Sequence, residues 1–188
     1  MAYDSAATKE RILTAAATEF ATHGVAGARV DRIAAAAQAN KRAIYDYFGD
    51  KKALFGAVLE RLMAELAEAV PPRAEADLDA YAAALFDYHS AHPEALRLLL
   101  WEALELGDDP VPDEQARTEH YLDKIRAAES TATGDDDPRA LLFFTLGLVG
   151  WSLAMPQLRR MILGTDYSMA RLRDSVSAAV RTLSGATE

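Results

Sequence analysis

The sequence predicts an all-α protein of about nine helices. Apolar residues recur at steps of three and four, and alternating runs typical of strands are almost absent. A length of 188 residues is enough to bury a core without help from a metal or disulfide. Because the chain has no cysteine, disulfides, thiolate metal sites and a cysteine nucleophile are excluded.

The elements of the first third are marked by caps and breakers. Residues 8–23 form the first predicted helix, with Thr8 as N-cap and Gly24 as a left-handed C-cap. Two short helices follow at residues 30–37 and 41–48, the second capped by Asn40. A fourth helix is predicted at residues 51–69, before two prolines stop it.

The second and third of these helices, with their three-residue link, have the form of a helix-turn-helix over about residues 30–48. Ile44 and Phe48 lie four residues apart and are predicted to face the core. Lys41, Arg42 and Tyr45 then point outward, where they suit phosphate oxygens, and Arg42 suits a guanine edge. A solvated basic face without a nucleic acid partner is the alternative interpretation.

Charge is distributed unevenly along the chain. Residues 1–61 hold nine Lys or Arg against seven Asp or Glu, a net charge of +2, whereas residues 62–188 hold eleven against twenty-two, a net charge of -11. The overall charge of -9 therefore does not exclude DNA binding by the first part. The polar start of the sequence predicts a cytoplasmic protein, and the longest apolar run, residues 140–155, is too short for a membrane crossing.

Three blocks of the first third resemble the tetracycline-repressor (TetR) family of regulators. The first is ERILTAAATEFATHG, with Ala16, Phe20 and Gly24, and the second begins VDRIA, with Ile33 and Ala34. The third, IYDYFGDKKALF at residues 44–55, is highly specific. The resemblance implies a dimeric, all-helical transcriptional regulator, usually a repressor, that a small ligand releases from a pseudopalindromic operator. The domains would be residues 1–50 for DNA binding, residues 51–70 as a connecting helix, and residues 71–188 for effector binding and dimerisation.

The resemblance also implies which residues meet DNA: Arg29, Lys41, Arg42, Tyr45, Tyr47 and Lys51. Four positions depart from the family pattern. Arg29 replaces a usual Ser or Thr cap, Gln38 replaces a usual Gly in the turn, and Ala39 replaces a usual β-branched residue. Asp46 would repel phosphate unless Arg42, four residues earlier, pairs with it.

Breakers divide the remaining chain into five predicted helices at residues 78–91, 93–106, 114–129, 138–163 and 167–183, with a kink or break at Pro156. The last helix carries an apolar stripe suited to a packed helix pair. An ordinary core-facing helix explains the stripe equally well. Because the resemblance favours a dimer, the predicted interface is Met169, Leu172, Val176, Val180 and Leu183, shared with the predicted helix at residues 138–163.

A ligand cavity is predicted among the large apolar residues of this part. Gly147 and Gly150 suggest room inside a helix, and Trp101 lies on a polar stripe between Arg97 and Glu105. Ordinary core packing is the alternative for most of these residues, and a surface Trp shielded by Arg97 is the alternative for Trp101. The predicted effector pocket comprises Phe86, Arg97, Trp101, Glu105, Phe143, Gly147, Trp151 and Met155.

Enzymatic signatures are missing from the sequence. His89 and His92 have a spacing that metal sites use, but no third ligand stands at a companion position, so we predict no metal site and no cofactor. No phosphate loop, nucleophile elbow or catalytic carboxylate pair is recognisable. A regulator is therefore predicted rather than an enzyme. An effector-independent DNA-binding protein or activator, and less favourably a helical carrier or enzyme, stay open.

Overall fold

The computed structural model describes residues 5–71, 77–129 and 137–185, which form ten helices and no strand. The all-α prediction is confirmed, with one helix more than the predicted nine. The helices are α1 (Ser5–Gly27), α2 (Val30–Ala36), α3 (Lys41–Phe48), α4 (Lys51–Ala69), α5 (Leu78–Ala91), α6 (Pro93–Leu106), α7 (Glu114–Glu129), α8 (Pro138–Ala154), α9 (Pro156–Leu163) and α10 (Met169–Leu183).

The chain forms two compact units, and each of them is built from two separate stretches of the sequence. Unit 1 comprises Met1–Glu65 and Pro93–Pro112, and unit 2 comprises Leu66–His92 and Asp113–Glu188. The predicted division at residues 50 and 70 assigned α6 to the C-terminal part, whereas α6 packs along α1 inside unit 1. The reason is its apolar stripe, since Ala95 and Leu98 are buried there. Pro72, the second of the predicted boundary prolines, lies outside the described residues.

Unit 1 is built around the apolar face of α1. Ile12, Ala16 and Phe20 on that face are fully buried, as their four-residue spacing predicts. The ring of Phe20 meets that of Phe55 on α4 edge to face, with centroids 5.1 Å apart. α1 continues to Gly27, past the predicted end at residue 23, but the backbone breaks from helical geometry at Gly24.

Unit 2 packs α5, α7, α8 and α10 around one apolar core. Its largest fully buried side chain is Phe86 on α5, which shares the core with Val149 of α8 and Val180 of α10. Two ion pairs join α10 to α5 at the surface: Arg173 Nε lies 2.7 Å from Asp87, and Arg181 Nε lies 2.8 Å from Asp79.

The predicted helix at residues 138–163 is divided at Pro156. Met155 has φ -113° and ψ 63°, outside the helical region, as expected for a residue that precedes proline. The resulting helices α8 and α9 meet at 86°. Within the described ranges no single helix has the length and apolar character to cross a membrane, and only this bent pair meets that test, on length and composition alone.

Candidate nucleic-acid interface

A buried carboxylate on α1 fixes the start of α2. Glu19 accepts hydrogen bonds of 2.8 Å from the backbone N–H of Arg29 and from Arg32 Nε. Burial alone would raise the pKa of Glu19, but the hydrogen bonds from Arg32 and Arg29 outweigh it and hold that pKa below its usual value. Glu19 therefore stays ionised, and it holds the backbone of Arg29, the N-cap residue of α2, through that residue's own amide.

The end of α2 is held by α1 as well. Arg11 Nε donates to the backbone oxygen of Ala37 at 3.1 Å, and the amide of Ala39 donates to Ala34 at 3.0 Å. Gln38, between them, has a φ of 50°. The turn thus adopts the left-handed conformation that glycine usually supplies, with glutamine in its place.

Local caps determine where α3 begins and where α4 follows it. The Asn40 side chain accepts a hydrogen bond from the Arg42 amide at 2.9 Å, which confirms the predicted N-cap. Gly49, at φ 84°, closes the helix through a 2.8 Å bond from its amide to the Tyr45 oxygen. Asp50 then caps α4 by accepting from the Ala53 amide at 2.7 Å.

These contacts leave one face of α3 in solvent. Ile44 is buried, while the Arg42 side chain is 86% exposed and Tyr45 is 43% exposed. Asp46 is also exposed, and its carboxylate lies 3.8 Å from Arg42 Nε, the pairing that its four-residue spacing predicts. The face therefore offers a guanidinium and a phenol, with the carboxylate partly neutralised by the same guanidinium.

The two lysines predicted for DNA contact already have partners within the chain. Lys41 Nζ lies 2.8 Å from Asp31, whose pKa is lowered by the hydrogen bond and charge of that lysine. Lys51 Nζ donates to the backbone oxygens of Ala26 and Ala28, each at 3.3 Å. Lys51 thus ties the loop between α1 and α2 to the start of α4.

Tyr47 is half-buried, and Lys9, which is not among the residues predicted for DNA contact, lies over its ring. Lys9 Nζ on α1 is 5.3 Å from the ring centroid. The two residues are far apart in sequence, and no spacing rule connects them. Arg29 is exposed at the N-cap of α2 and makes no side-chain cap.

Both parts of the chain match models of known protein families. Residues 12–58 match the family model described as bacterial regulatory proteins, tetR family, and residues 77–182 match the tetracyclin repressor-like C-terminal domain. This is a TetR-family protein.

The relatives of the TetR-family chain are regulators. The HTH-type transcriptional repressor SCO4008 of Streptomyces coelicolor is 45% identical over 188 residues, 97% of each chain. A structure of the transcriptional regulator SCO4942 from the same species is 36% identical with a TM-score of 0.80, and it covers 94% of this chain and 97% of its own. AibR, solved with isovaleryl coenzyme A and operator DNA, is 20% identical with a TM-score of 0.69 over 92% of this chain and 97% of its own. At that identity the likeness to AibR shows the fold alone.

The residues predicted for the effector pocket do not share one unit of this TetR-family protein. Arg97 and Trp101 belong to α6 and contact α1 within unit 1, where Arg97 Nε donates to the Ala21 oxygen at 2.8 Å. Glu105, also in unit 1, is exposed. The remainder belong to unit 2, where Phe86 is core, Phe143, Gly147 and Trp151 are exposed, and Met155 is half-buried at the bend. Trp151 and Met155 line a groove of about 160 Å³ between α8, α9 and α10.

The residues predicted for the dimer interface all lie on α10 of unit 2, but some are buried and others are exposed. Leu172, Val176 and Val180 are buried in the core of unit 2, where α10 packs on α5, so the core-facing alternative describes them. Met169 and Leu183 are exposed. A separate set of exposed apolar side chains lies on α8 and α9, and we call it the α8–α9 patch: Phe143, Phe144, Trp151, Met161 and Ile162.

Proposed function

We propose that this protein is a cytoplasmic, homodimeric transcriptional repressor that binds a pseudopalindromic operator and leaves it when a small molecule binds. The observation that carries the proposal is the exposed face of α3, whose Arg42 and Tyr45 stand free of the core while caps and buried ion pairs fix the helix beneath them. The repressor role is supported by the name of the relative SCO4008.

On DNA, α3 would enter the major groove. Arg42 would exchange its 3.8 Å contact with Asp46 for a guanine edge, and the hydroxyl of Tyr45 would donate to a phosphate. Lys41 would act more weakly, because it already pairs with Asp31. Lys51 would act mainly by holding the loop before α2.

Dimerisation would use the α8–α9 patch together with Met169 and Leu183. Phe143 is 73% exposed and Met161 is 75% exposed, and a surface patch of several large apolar side chains is typical of an interface. A two-fold dimer places two recognition helices about one helical turn of DNA apart, which requires a pseudopalindromic site.

The double substitution Met161→Asp with Ile162→Asp tests the interface by sedimentation equilibrium. We expect a monomer, whereas Leu104→Asp, at a residue 74% exposed on α6, should stay dimeric. A double variant that remains dimeric would refute this assignment of the interface.

Effector release would follow from a shift between two conformations of the dimer. A ligand that binds the conformation unsuited to the operator shifts the population only by its differential affinity for the two states. α4 begins in unit 1 and ends in unit 2, so it is one helix through which such a change would pass.

Selection of bound sequences from a random duplex pool tests the proposed function. We expect a palindromic consensus, and we expect binding to weaken steeply with salt because phosphate contacts release counterions. The variant with alanine at Lys41, Arg42 and Tyr45 should lose binding while retaining its melting temperature. Alanine at Arg126, exposed on α7 and paired with Asp123 in the described part of the chain, is the matched control. Failure to enrich a palindrome would overturn the proposal, and enrichment without release by any metabolite would leave an effector-independent regulator.

A further inference from the structure

A buried lysine stands in unit 2 without a counter-charge. Lys124 on α7 is only 5% exposed, and no described residue gives its Nζ a hydrogen bond or an ion pair. Lysine is almost never fully buried unless it is paired. Burial lowers the pKa of Lys124 to about 8, so a large fraction of the ammonium is still charged near neutral pH.

Two tyrosines surround this ammonium. Nζ lies 5.6 Å from the ring centroid of Tyr81 on α5 and 5.4 Å from that of Tyr121 on α7. Ring faces attract a cation but accept no conventional hydrogen bond, so the three N–H donors of the ammonium are not satisfied by them. The Tyr81 hydroxyl is also buried without a hydrogen-bond partner in the described part of the chain.

Lysine is also rare in this part of the sequence. Lys124 is the only lysine after residue 61, in a stretch whose net charge is -11. Lys124, largely buried and without a counter-charge among the described residues, lies beside the buried, unpartnered hydroxyl of Tyr81 on a different helix, and both groups cost folding free energy. An acceptor that binds both groups would remove that cost.

We propose that Lys124 and Tyr81 recognise the carboxylate of an organic acid, which makes a carboxylic acid the effector class of the proposed repressor. The inference rests on the proposed function for its regulatory meaning, although binding of the acid does not depend on it. The carboxylate accepts from the ammonium and from the Tyr81 hydroxyl, and the rings of Tyr81 and Tyr121 contact the apolar part of the acid. A cationic ligand is disfavoured, because it would meet the ammonium at close range.

Isothermal titration with benzoate, phenylacetate and octanoate, each beside its primary amide, tests this recognition at pH 7.0. At least one acid should bind, and its uncharged amide should bind about tenfold more weakly or not at all, because charge-assisted hydrogen bonds are lost. Lys124→Met, which keeps the length and apolar stem of the side chain, should weaken acid binding about tenfold or more. Tyr81→Phe should weaken it about threefold, since one neutral donor is removed. Lys52→Met, at an exposed lysine of α4, should bind the acids like the parent protein.

Three outcomes would overturn the assignment: none of the three acids binds, acids and amides bind equally, or Lys124→Met binds the acids as well as the parent does. The last outcome is meaningful only for a folded variant, so its melting temperature and helical circular dichroism are measured alongside. Binding of the selected duplex separates this proposal from the proposed function. Lys124→Met should still bind the duplex, but the acid should no longer release it. If the parent protein binds the acid and selects no duplex, the acid site stands and the proposed repressor function is refuted.

Discussion

The indole of Trp101 lies directly against the backbone of Gly24. A Cβ atom built on Gly24 would stand 2.9 Å from Cζ3 of that indole, closer than real carbon contacts allow. Gly24 also has φ 68° and ψ 176°, a conformation essentially reserved for glycine. The docking of α6 on α1 thus depends on a residue without a side chain, at the point where α1 changes direction.

Gly24→Ala should therefore destabilise the protein by about 2 kcal/mol or more, through backbone strain and the clash with the indole. The free energy of unfolding in urea measures the loss. Gly27→Ala is the matched control, because its Cβ would meet only His23 Cβ at 3.4 Å. Combining Gly24→Ala with Trp101→Ala should cost less than the sum of the single variants, since the clash is removed. Strict additivity would contradict the contact.

Gln38→Gly should stabilise the helix-turn-helix. Gln38 has φ 50°, and a non-glycine residue in the left-handed region costs roughly 1 kcal/mol, partly offset by the greater freedom of glycine in the unfolded chain. We expect a net gain of about 0.5 kcal/mol. Gln38→Val, with a β-branched side chain, should lower stability instead. If both variants destabilise the protein equally, the side chain of Gln38 has a role beyond its backbone conformation.

The predictions from sequence succeeded where the signal is local. Asn40 caps α3 through an atom two residues away, and Pro156 breaks its helix through its own ring and missing donor, so neither depends on the tertiary partner. Trp101 was predicted for an effector pocket because an amphipathic pattern indicates that a face is covered, but not by which element. The same ambiguity placed Leu172, Val176 and Val180 at a dimer interface, although α5 of the same chain covers α10.

No local pattern in the sequence predicts the burial of Lys124. It lies in α7, a helix whose first turns read EQARTEHYLDK and are predominantly polar, so its burial depends on Tyr81, more than forty residues away. Lys9 over Tyr47 is a similar case. Contacts between side chains distant in sequence require the fold before they can be found, and these two cations extend the candidate sites beyond the residues predicted from pattern.

Substitution of Lys51 should lower the stability of the protein, whereas substitution of Arg42 should lower its affinity for the operator. Lys51→Met removes the ammonium that binds Ala26 and Ala28, so we expect about 1 kcal/mol less stability, measured by urea unfolding. Arg42→Ala removes a side chain that is 86% exposed, so stability should change by less than about 0.5 kcal/mol. Operator affinity should fall by about 1 to 3 kcal/mol for Arg42→Ala, with relaxed preference at one base pair. Unchanged stability of the Lys51 variant would contradict its role in the loop.

Lys124→Met should stabilise the ligand-free protein by about 1 to 3 kcal/mol at pH 7, because the desolvated ammonium no longer needs to be buried. The pKa of Lys124 is about 8 in the folded protein and 10.5 in the unfolded chain, so between these values the unfolded state binds more protons. Parent stability should therefore rise with pH above about 8, and the advantage of the variant should shrink. Urea unfolding is measured at pH 7.0 to 9.0. Burial raises the pKa of the adjacent Tyr81, so its hydroxyl stays protonated in the folded protein over this range, and burial lowers the pKa of the neighbouring His120, which is therefore neutral there. A variant less stable than the parent at pH 7 would show that Lys124 is a structural residue.

His89 should make the protein sensitive to mild acid. Its ring is buried in unit 2, with no hydrogen bond to Nδ1 from the described residues, and burial, assisted by the charge of His92, lowers its pKa from 6.5 to about 4. Between those values the unfolded chain binds a proton that the folded protein does not, so stability is lost as pH falls from 6.5 towards 4. The loss from this residue is at most about 3 kcal/mol, at about 1.4 kcal/mol for each pH unit. His89→Phe keeps a ring of similar size and removes the titrating group, so its unfolding free energy should decline less steeply than that of the parent over this window. Both proteins share the other groups that titrate in this range, so parallel curves would mean that folding does not lower the pKa of His89.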